Sequence, residues 1–333
     1  MSITVLNPGL LTIIQDLGRN GYQKYGVIVS GAMDTYDMRL SNIIVGNEES
    51  EGVLEITMMG PLLELKKGTL FSITGADISP TINNKIVPMG RPVYLKEDCT
   101  LKFGACKTGS RSYLSVAGGF EVPIVMDSKS TYLRAELGGF KGRALRKNDN
   151  LKVGIKNTIS SKIIEKLKEI KNEDSFIASS WYVKDYNIKN SEGTVIRVFE
   201  DRQFKKISEE SINNFFNSEF VIDIKSDRMG YRLNGPKIEL KEKLEMISEE
   251  VSVGTIQIPP DGNPIILLAD SQTAGGYPKI AHVALVDIPK IVQLKANNKV
   301  TFKKITLEEA EKLYFEKEKY ISDIKKSIKL IVL

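Results

Sequence analysis

Most of this chain alternates between short apolar runs and turn residues. Ile3 to Leu6, Thr12 to Ile14, Leu54 to Thr57, Leu62 to Leu65, Leu70 to Thr74, Pro92 to Leu95, Thr100 to Phe103 and Ser112 to Val116 are apolar or alternating stretches of strand length. Gly, Pro, Asn or Asp punctuates them. So dense a series of short strands predicts barrels or sandwiches and not a parallel α/β sheet. A few segments carry helical spacing instead. Asp34 to Val45 has Met38, Ile43, Ile44 and Val45 on a helical repeat, Asp34 at or near the N-cap, and Gly46-Asn47 as its stop. Ser161 to Lys171 carries Ile163, Ile164, Leu167 and Ile170, and Ser208 to Phe216 is a short amphipathic candidate. Thr306 with Glu309 forms a capping box that opens the last helix, whose Ala310, Leu313, Ile321, Ile324 and Ile328 drift along one face.

A length of 333 residues favours two domains. Between about 155 and 193 the composition turns polar and rich in Lys, Asn and Ser, which predicts a domain at 1–155, a polar connecting region at 156–192 and a second domain at 193–333 with the terminal helix. A faint internal echo crosses that boundary. Asp16-Leu17-Gly18-Arg19 and Tyr22 precede it, Asp227-Arg228-Met229-Gly230-Tyr231 follows it, and both sets come after a strand.

Composition narrows the class. A hydrophobic content of 41% and a charged content of 27% fit an ordinary soluble globular protein. No apolar run is long enough to span a bilayer, and the N-terminus lacks the basic and apolar regions of a signal peptide, so a cytoplasmic chain without a membrane role is expected. The net charge of +5 comes from 47 basic and 42 acidic residues mixed along the sequence. No basic stripe interleaved with aromatics marks a nucleic-acid surface. Cys99 and Cys106 have six residues between them, which fits no zinc pattern. The single histidine, His282, lies in an apolar run and reads as packed and satisfied; alone it builds neither a histidine metal site nor a Ser-His-Asp relay. No metal is expected.

The richest chemistry lies behind the apolar run Ile265 to Leu268: Asp270-Ser271-Gln272-Thr273-Ala274-Gly275-Gly276-Tyr277-Pro278-Lys279. A strand ending in two glycines lets backbone approach something small. If neighbouring strands converge there, Arg228, Gln257, Gln272 and Lys279 gather in one cleft suited to a small anionic or amide substrate. Asp227, Tyr231 and Tyr277 would line the same cleft. Asp227 or Asp270 would orient Arg228 or position water; alternatively Asp227 and Arg228 pair with each other and brace a turn. In the first half, Asp77 follows a strand and Gly75-Ala76, where a turn is equally plausible, and Arg111 shares a strand face with Tyr113. There is no Gly-x-x-x-x-Gly-Lys-Ser/Thr loop and no Gly-x-Gly-x-x-Gly, so ATP, if used, belongs on another subunit or a shared interface. No Met-Lys-Met of the biotin-carrying kind occurs, so no biotin is expected on this chain.

Pro8-Gly9-Leu10-Leu11-Thr12, Gln15-Asp16-Leu17-Gly18-Arg19, Ser30-Gly31-Ala32-Met33-Asp34, Gly75-Ala76-Asp77, Ser226 to Arg232 and Gln272 to Lys279, in this order, resemble the biotin-dependent carboxyltransferase family, which takes in the C subunits of 5-oxoprolinases, also called allophanate hydrolase subunit 2. The resemblance runs from about residue 3 to about residue 305. It implies a mainly β fold of two cyclophilin-like β-barrel domains with a few short helices. It also implies partnership with 5-oxoprolinase subunits A and B, the B subunit closest, in a complex that opens 5-oxoproline to L-glutamate with ATP hydrolysis. The family carries its functional weight in the stretches matched here by Asp227 to Tyr231 and Gln272 to Lys279. On that basis Asp227, Arg228, Gln272 and Lys279 are expected to be catalytic, and Tyr231, Gln257, Gly275, Gly276, Tyr277, Asp77 and Arg111 to bind substrate. Arg228 and Lys279 would hold the substrate carboxylate. Departures at Gly90-Arg91, Asp127-Ser128-Lys129-Ser130-Thr131 and Glu200-Asp201-Arg202-Gln203 bear on substrate choice. The rival readings are a non-catalytic regulator that binds a kinase inhibitor resembling the B subunit, and a carboxyltransferase moving a biotin-carried carboxyl to urea or a similar amide.

Overall fold

The computed structural model describes residues 1–184, 193–242, 244 and 246–332. The protein is mainly β, with five α-helices among the described residues. It forms two compact units, one of Met1–Gly18, Asp34–Ile188 and Tyr320–Leu333, the other of Arg19–Met33 and Lys189–Lys319.

The first unit is built on two six-stranded sheets. One runs in the order Asn150–Lys152, Ser2–Asn7, Leu62–Leu65, Cys99–Lys102, Thr81–Ile82 and Lys85–Ile86. The other runs Phe176–Ala178, Val93–Leu95, Leu70–Asp77, Thr108–Val116, Val53–Thr57 and Leu11–Gln15. Period-2 alternation sends Ile3, Val5, Leu63 and Leu65 from the first sheet into a core shared with Leu54, Ile56, Phe71, Ile73, Leu114 and Val116 from the second. The opposite face of the second sheet is covered by the helix Thr35–Ile44, whose Tyr36, Leu40 and Ile43 pack with Leu70 and Tyr94, and polar bonds cross the same contact. Ser72 Oγ donates to Ser41 O at 2.6 Å, Thr74 Oγ1 to Asp37 O at 2.6 Å and Ser115 Oγ to Asn42 Oδ1 at 2.6 Å. The helix starts where expected, because the Asp34 carboxylate accepts the Asp37 amide.

The second unit closes into a seven-stranded barrel in the order Thr194–Glu200, Lys279–Val283, Thr255–Gln257, Ile265–Leu267, Gly230–Asn234, Phe220–Ile222 and Lys299–Lys304. Thr194–Glu200 and Lys299–Lys304 close it as parallel neighbours; the other ladders are antiparallel. Closure removes the exposed edges of an open sheet. Ile196, Val198, Ile256, Ile266, Ile280 and Val300 pack with an aromatic group in which Phe215 stacks on Phe302 at 4.4 Å.

These units cut across the division expected at 155 and 193. The expected connector contains the helix Thr158–Lys168 and the strand Phe176–Ala178, both packed into the first unit. Ile163, Ile164 and Leu167 join Tyr36, Leu40 and Ile43, while the strand pairs with Val93–Leu95. A solvated Lys/Glu face had outweighed this buried stripe in the composition. The helix begins three residues before the expected Ser161, because the Asn157 side chain accepts the Ser160 amide at 2.9 Å. Positions 185–192 lie outside the described residues. Arg19–Met33 joins the second unit despite its early place in the sequence, and from Tyr320 onward the C-terminal helix Leu307–Val332 belongs to the first. Among the described residues no helix is long and apolar enough to cross a membrane.

Candidate functional site

The most chemically loaded cluster of the barrel unit surrounds Lys279. This residue begins the strand Lys279–Val283, level with Gln257 on the neighbouring strand. Gln203 clamps its backbone: Gln203 N donates to Lys279 O and Lys279 N to Gln203 Oε1, both at 3.0 Å. The lysine side chain is 5% exposed, and its Nζ lies 2.7 Å from Glu249 Oε2 and donates to Glu250 O at 3.1 Å. The Glu249 carboxylate has Arg202 at 3.6 Å as well. A hydrogen bond from Lys279 is the main cause holding the Glu249 carboxyl below its usual range.

Two very short strands bring these groups together: Glu249–Glu250 pairs with Ala274–Gly275. Gly275 then sits on the buried Gln257 amide, where a Cβ would come within 2.7 Å of Gln257 Nε2. Any side chain at 275 would push this amide away, so the glycine expected to permit close approach does so toward Gln257. Gln257 Nε2 also donates to Tyr277 O at 3.4 Å. The Tyr277 side chain is substantially exposed and Gly276 is exposed. A buried ammonium, a buried amide and a solvent-facing tyrosine thus lie on adjoining segments. An ammonium can hold an anionic or carbonyl oxygen, and an amide can both donate to and accept from a lactam or urea.

Arg228 belongs to a different cluster. Its Nε donates to Asp270 Oδ2 at 2.9 Å and its Nη2 to Asp270 Oδ1 at 3.1 Å, a bidentate pair, while Nη2 also donates to Gly31 O at 2.5 Å. Ser30 Oγ donates to the same carboxylate at 2.9 Å. Asp270 therefore orients Arg228, one of the two arrangements expected. Asp227 closes a turn: its Oδ1 accepts the Met229 amide at 2.8 Å and the Gly230 amide at 3.4 Å. Asp16 does the same in the first unit, accepting the Gly18 amide at 2.8 Å, so the echo between these segments is real at the level of the turn.

The single cleft expected for Arg228, Gln257, Gln272 and Lys279 is not what the ladders build. Gln257 and Lys279 lie level with Ile265 and Arg232, whereas Arg228 and Asp270 pair beyond Gly230 and Leu267. Arg228 lies past the end of the strand Gly230–Asn234, in the bend that leads into Gly230. Ile265–Leu267 runs parallel to Lys279–Val283, because both pair antiparallel to Thr255–Gln257. The loop between them must therefore return along the barrel, placing Asp270 and Lys279 at different ends. Gln272 is exposed on that loop. Tyr231 is a core residue: 4% exposed, opposite Ile266, with its hydroxyl donating to Leu294 O at 3.4 Å.

Asp77 and Arg111 lie in the first unit. Asp77 ends its strand, accepts the Ser79 amide at 2.8 Å and takes the Lys107 amide on its carbonyl, which is the turn alternative. Arg111 is buried opposite Thr57, with Nη1 3.2 Å from Ser110 Oγ. Two residues on, the buried Tyr113 hydroxyl accepts the Asp34 amide at 2.8 Å and donates to Glu55 Oε2 at 3.0 Å. Burial, with Glu55 and Asp34 adding to it, pushes the Tyr113 phenol well above its usual range. Sequence reasoning did not single out Glu55; the one signal is an acid inside an otherwise apolar strand, Val53–Thr57. Within the first unit the Asp16 carboxylate takes Ser128 Oγ at 2.7 Å, the Lys129 amide and Ser130 Oγ. Among the described residues no cluster of three or more His, Cys, Asp or Glu is placed to hold a metal ion.

Residues 25–304 match the family model described as carboxyltransferase domain, subdomain A and B, and the chain belongs to that family. It is 33% identical over 326 residues to the C subunit of the 5-oxoprolinase of Haemophilus influenzae, covering 98% of both chains. It is 31% identical over 322 residues to the protein of the same name from Escherichia coli, covering 97% of both. The crystal structure of Kluyveromyces lactis urea carboxylase superposes with a TM-score of 0.85 at 28% identity, over 97% of this chain and 29% of that one.

Proposed function

We propose that this chain is the C subunit of an ATP-dependent 5-oxoprolinase complex, which opens 5-oxoproline to L-glutamate together with partner subunits A and B. The observation that carries this reading is the end-to-end match, at equal length, to two proteins named for that role. The Lys279 cluster supports it chemically. In this reading Lys279 takes the carboxylate of 5-oxoproline, which displaces Glu249 from the ammonium, and Gln257 meets the lactam amide. Gly275 and Gly276 leave room for the ring and Tyr277 covers it. Arg228 and Asp270 brace the far end of the barrel and leave the substrate to Lys279. ATP binds on a partner or a shared interface, and the complex works in the cytoplasm.

A second reading, transfer of a biotin-carried carboxyl to urea or a similar amide, draws on the urea carboxylase likeness. It also draws on charge: Lys279 faces Glu249 and Arg228 faces Asp270, a compensated pattern that suits a neutral substrate. The test is ATP-dependent glutamate formation from 5-oxoproline by reconstituted partners, with this chain added and omitted. Lys279→Met keeps the stem and removes the charge. Turnover lowered about 100-fold with assembly and thermal stability intact supports the assignment. Wild-type turnover overturns it, and failed assembly reassigns Lys279 to the partner interface.

A further inference from the structure

His282, expected to be packed and satisfied, has partners of a specific kind. Its ring stacks on Phe199, with 5.2 Å between centroids and 19° between planes. Nδ1 lies 2.9 Å from the carbonyl oxygen of Val283 and Nε2 3.1 Å from Ser252 Oγ. A carbonyl only accepts, so Nδ1 carries the proton. In the neutral imidazole Nε2 is then a bare acceptor, and the Ser252 hydroxyl donates to it. This is the tautomer that a serine nucleophile requires of its base, with the Val283 carbonyl in the orienting position that a carboxylate holds in a triad.

The surroundings hold this arrangement in place. Ser252 opens a turn in which Thr255 N donates to Ser252 O at 3.1 Å and Ser252 N to Thr255 Oγ1 at 3.2 Å. Gly254 in that turn has φ +97°, and a Cβ there would come within 2.8 Å of His282 Cε1. The ring therefore occupies space that exists because residue 254 is glycine. Burial is the main cause pushing the imidazole below its usual range, against opposing pulls from the Val283 carbonyl and Asp201, so the ring is neutral at pH 7. Ser252 itself is exposed and open to a reagent from solvent.

We propose that Ser252 and His282 form a nucleophile–base pair that accepts an acyl group from an activated carboxylic ester, a site separate from the Lys279 cluster. Ser252 Oγ attacks the ester carbonyl carbon and its proton passes to His282 Nε2. The tetrahedral adduct collapses by breaking the bond to the leaving oxygen, which departs as phenolate or takes the proton back from Nε2. The product is an O-acyl serine.

The experiment treats the full chain with p-nitrophenyl acetate at pH 7, follows nitrophenolate release and maps acetylated peptides by mass spectrometry. The expected result is acetyl on Ser252, absent in Ser252→Ala. In His282→Gln the rate of that labelling falls at least about tenfold, with the thermal midpoint unchanged. Gly254→Ala, which crowds the ring, produces the same loss and serves where the histidine variant does not fold. No acetyl on Ser252 in the wild type, or labelling of folded His282→Gln or Gly254→Ala at the wild-type rate, overturns the proposal.

Discussion

Each buried cation of the Arg228 and Lys279 clusters meets a carboxylate within its own unit, and the consequences differ with burial. Arg228 and Asp270 are 9% and 8% exposed, so removing one partner leaves a desolvated charge. Asp270→Ala should cost about 3–5 kcal/mol, read from the urea midpoint at constant m. A loss below about 1 kcal/mol would mean that Gly31 O and the other neighbours of Arg228 suffice. Lys279 is more conditional, since Glu249 is 33% exposed and can swing into water. In the assembled complex, Glu249→Gln should lower the KM for 5-oxoproline, because the substrate carboxylate no longer competes with an internal one. An unchanged or raised KM would favour the neutral-substrate reading.

Among the elements, the barrel strand Thr194–Glu200 is pinned to the helix Ile288–Val292 through Asp287, which is fully buried. Its Oδ2 accepts Arg197 N at 2.9 Å and Arg197 Nε at 2.8 Å; its Oδ1 accepts Arg197 Nη2 at 2.6 Å and has Lys290 at 2.8 Å. Burial pushes this carboxyl up, but the hydrogen bonds from Arg197 and Lys290 outweigh it and leave the group below its usual range. The folded state therefore binds the proton less readily than the unfolded chain, whose aspartates titrate near about 3.9. The stabilisation is fully present above that value and is lost as pH falls through the lower folded-state value. Urea midpoints measured downward from pH 6 should decline on the acid side, and Asp287→Asn should flatten that decline while lowering stability at pH 7. An unchanged acid limb in the variant would show that other carboxylates set it. Two helix starts were readable because caps are local: Asp34 and the Thr306–Glu309 box make the expected bonds.

At the scale of the whole molecule, the C-terminal helix contributes residues to both compact units. Its last turns supply Ile321, Ile328 and Val332 to the apolar cluster of the first unit, alongside Tyr36, Ile43 and Ile163. The helix is thus core to a unit formed mostly from residues far earlier in sequence. Ile328→Ala should cost about 2–5 kcal/mol by opening a cavity there, seen as a lower thermal midpoint. A shift within error would place the helix end outside the cooperative unit. Under the proposed function, co-expression with a chain of the B-subunit type should give co-elution on size exclusion, and separate elution at micromolar concentrations would count against an obligate complex.

Local rules were enough for the strands read between Ile3 and Val116, for the caps at Asp34 and Thr306 and for the mainly β class, because period-2 burial, turn residues and capping hydrogen bonds all act within a few residues. The motif at Gln272 to Lys279 could be seen as chemistry for the same reason: two glycines, an amide and a lysine stand close together in the chain. What joined that chemistry to its neighbours was tertiary. Closure of the barrel depends on the parallel pairing of Thr194–Glu200 with Lys299–Lys304, and Tyr231 became core because the closed barrel turned its ring inward. Ladder register set Lys279 beside Gln257 and Glu249 while sending Arg228 to Asp270 at the other end, a choice that no local spacing records. His282 gained Ser252 and Phe199 in the same way. Sequence spacing determines which residues can share a strand face, whereas the pairing of distant strands decides which faces meet.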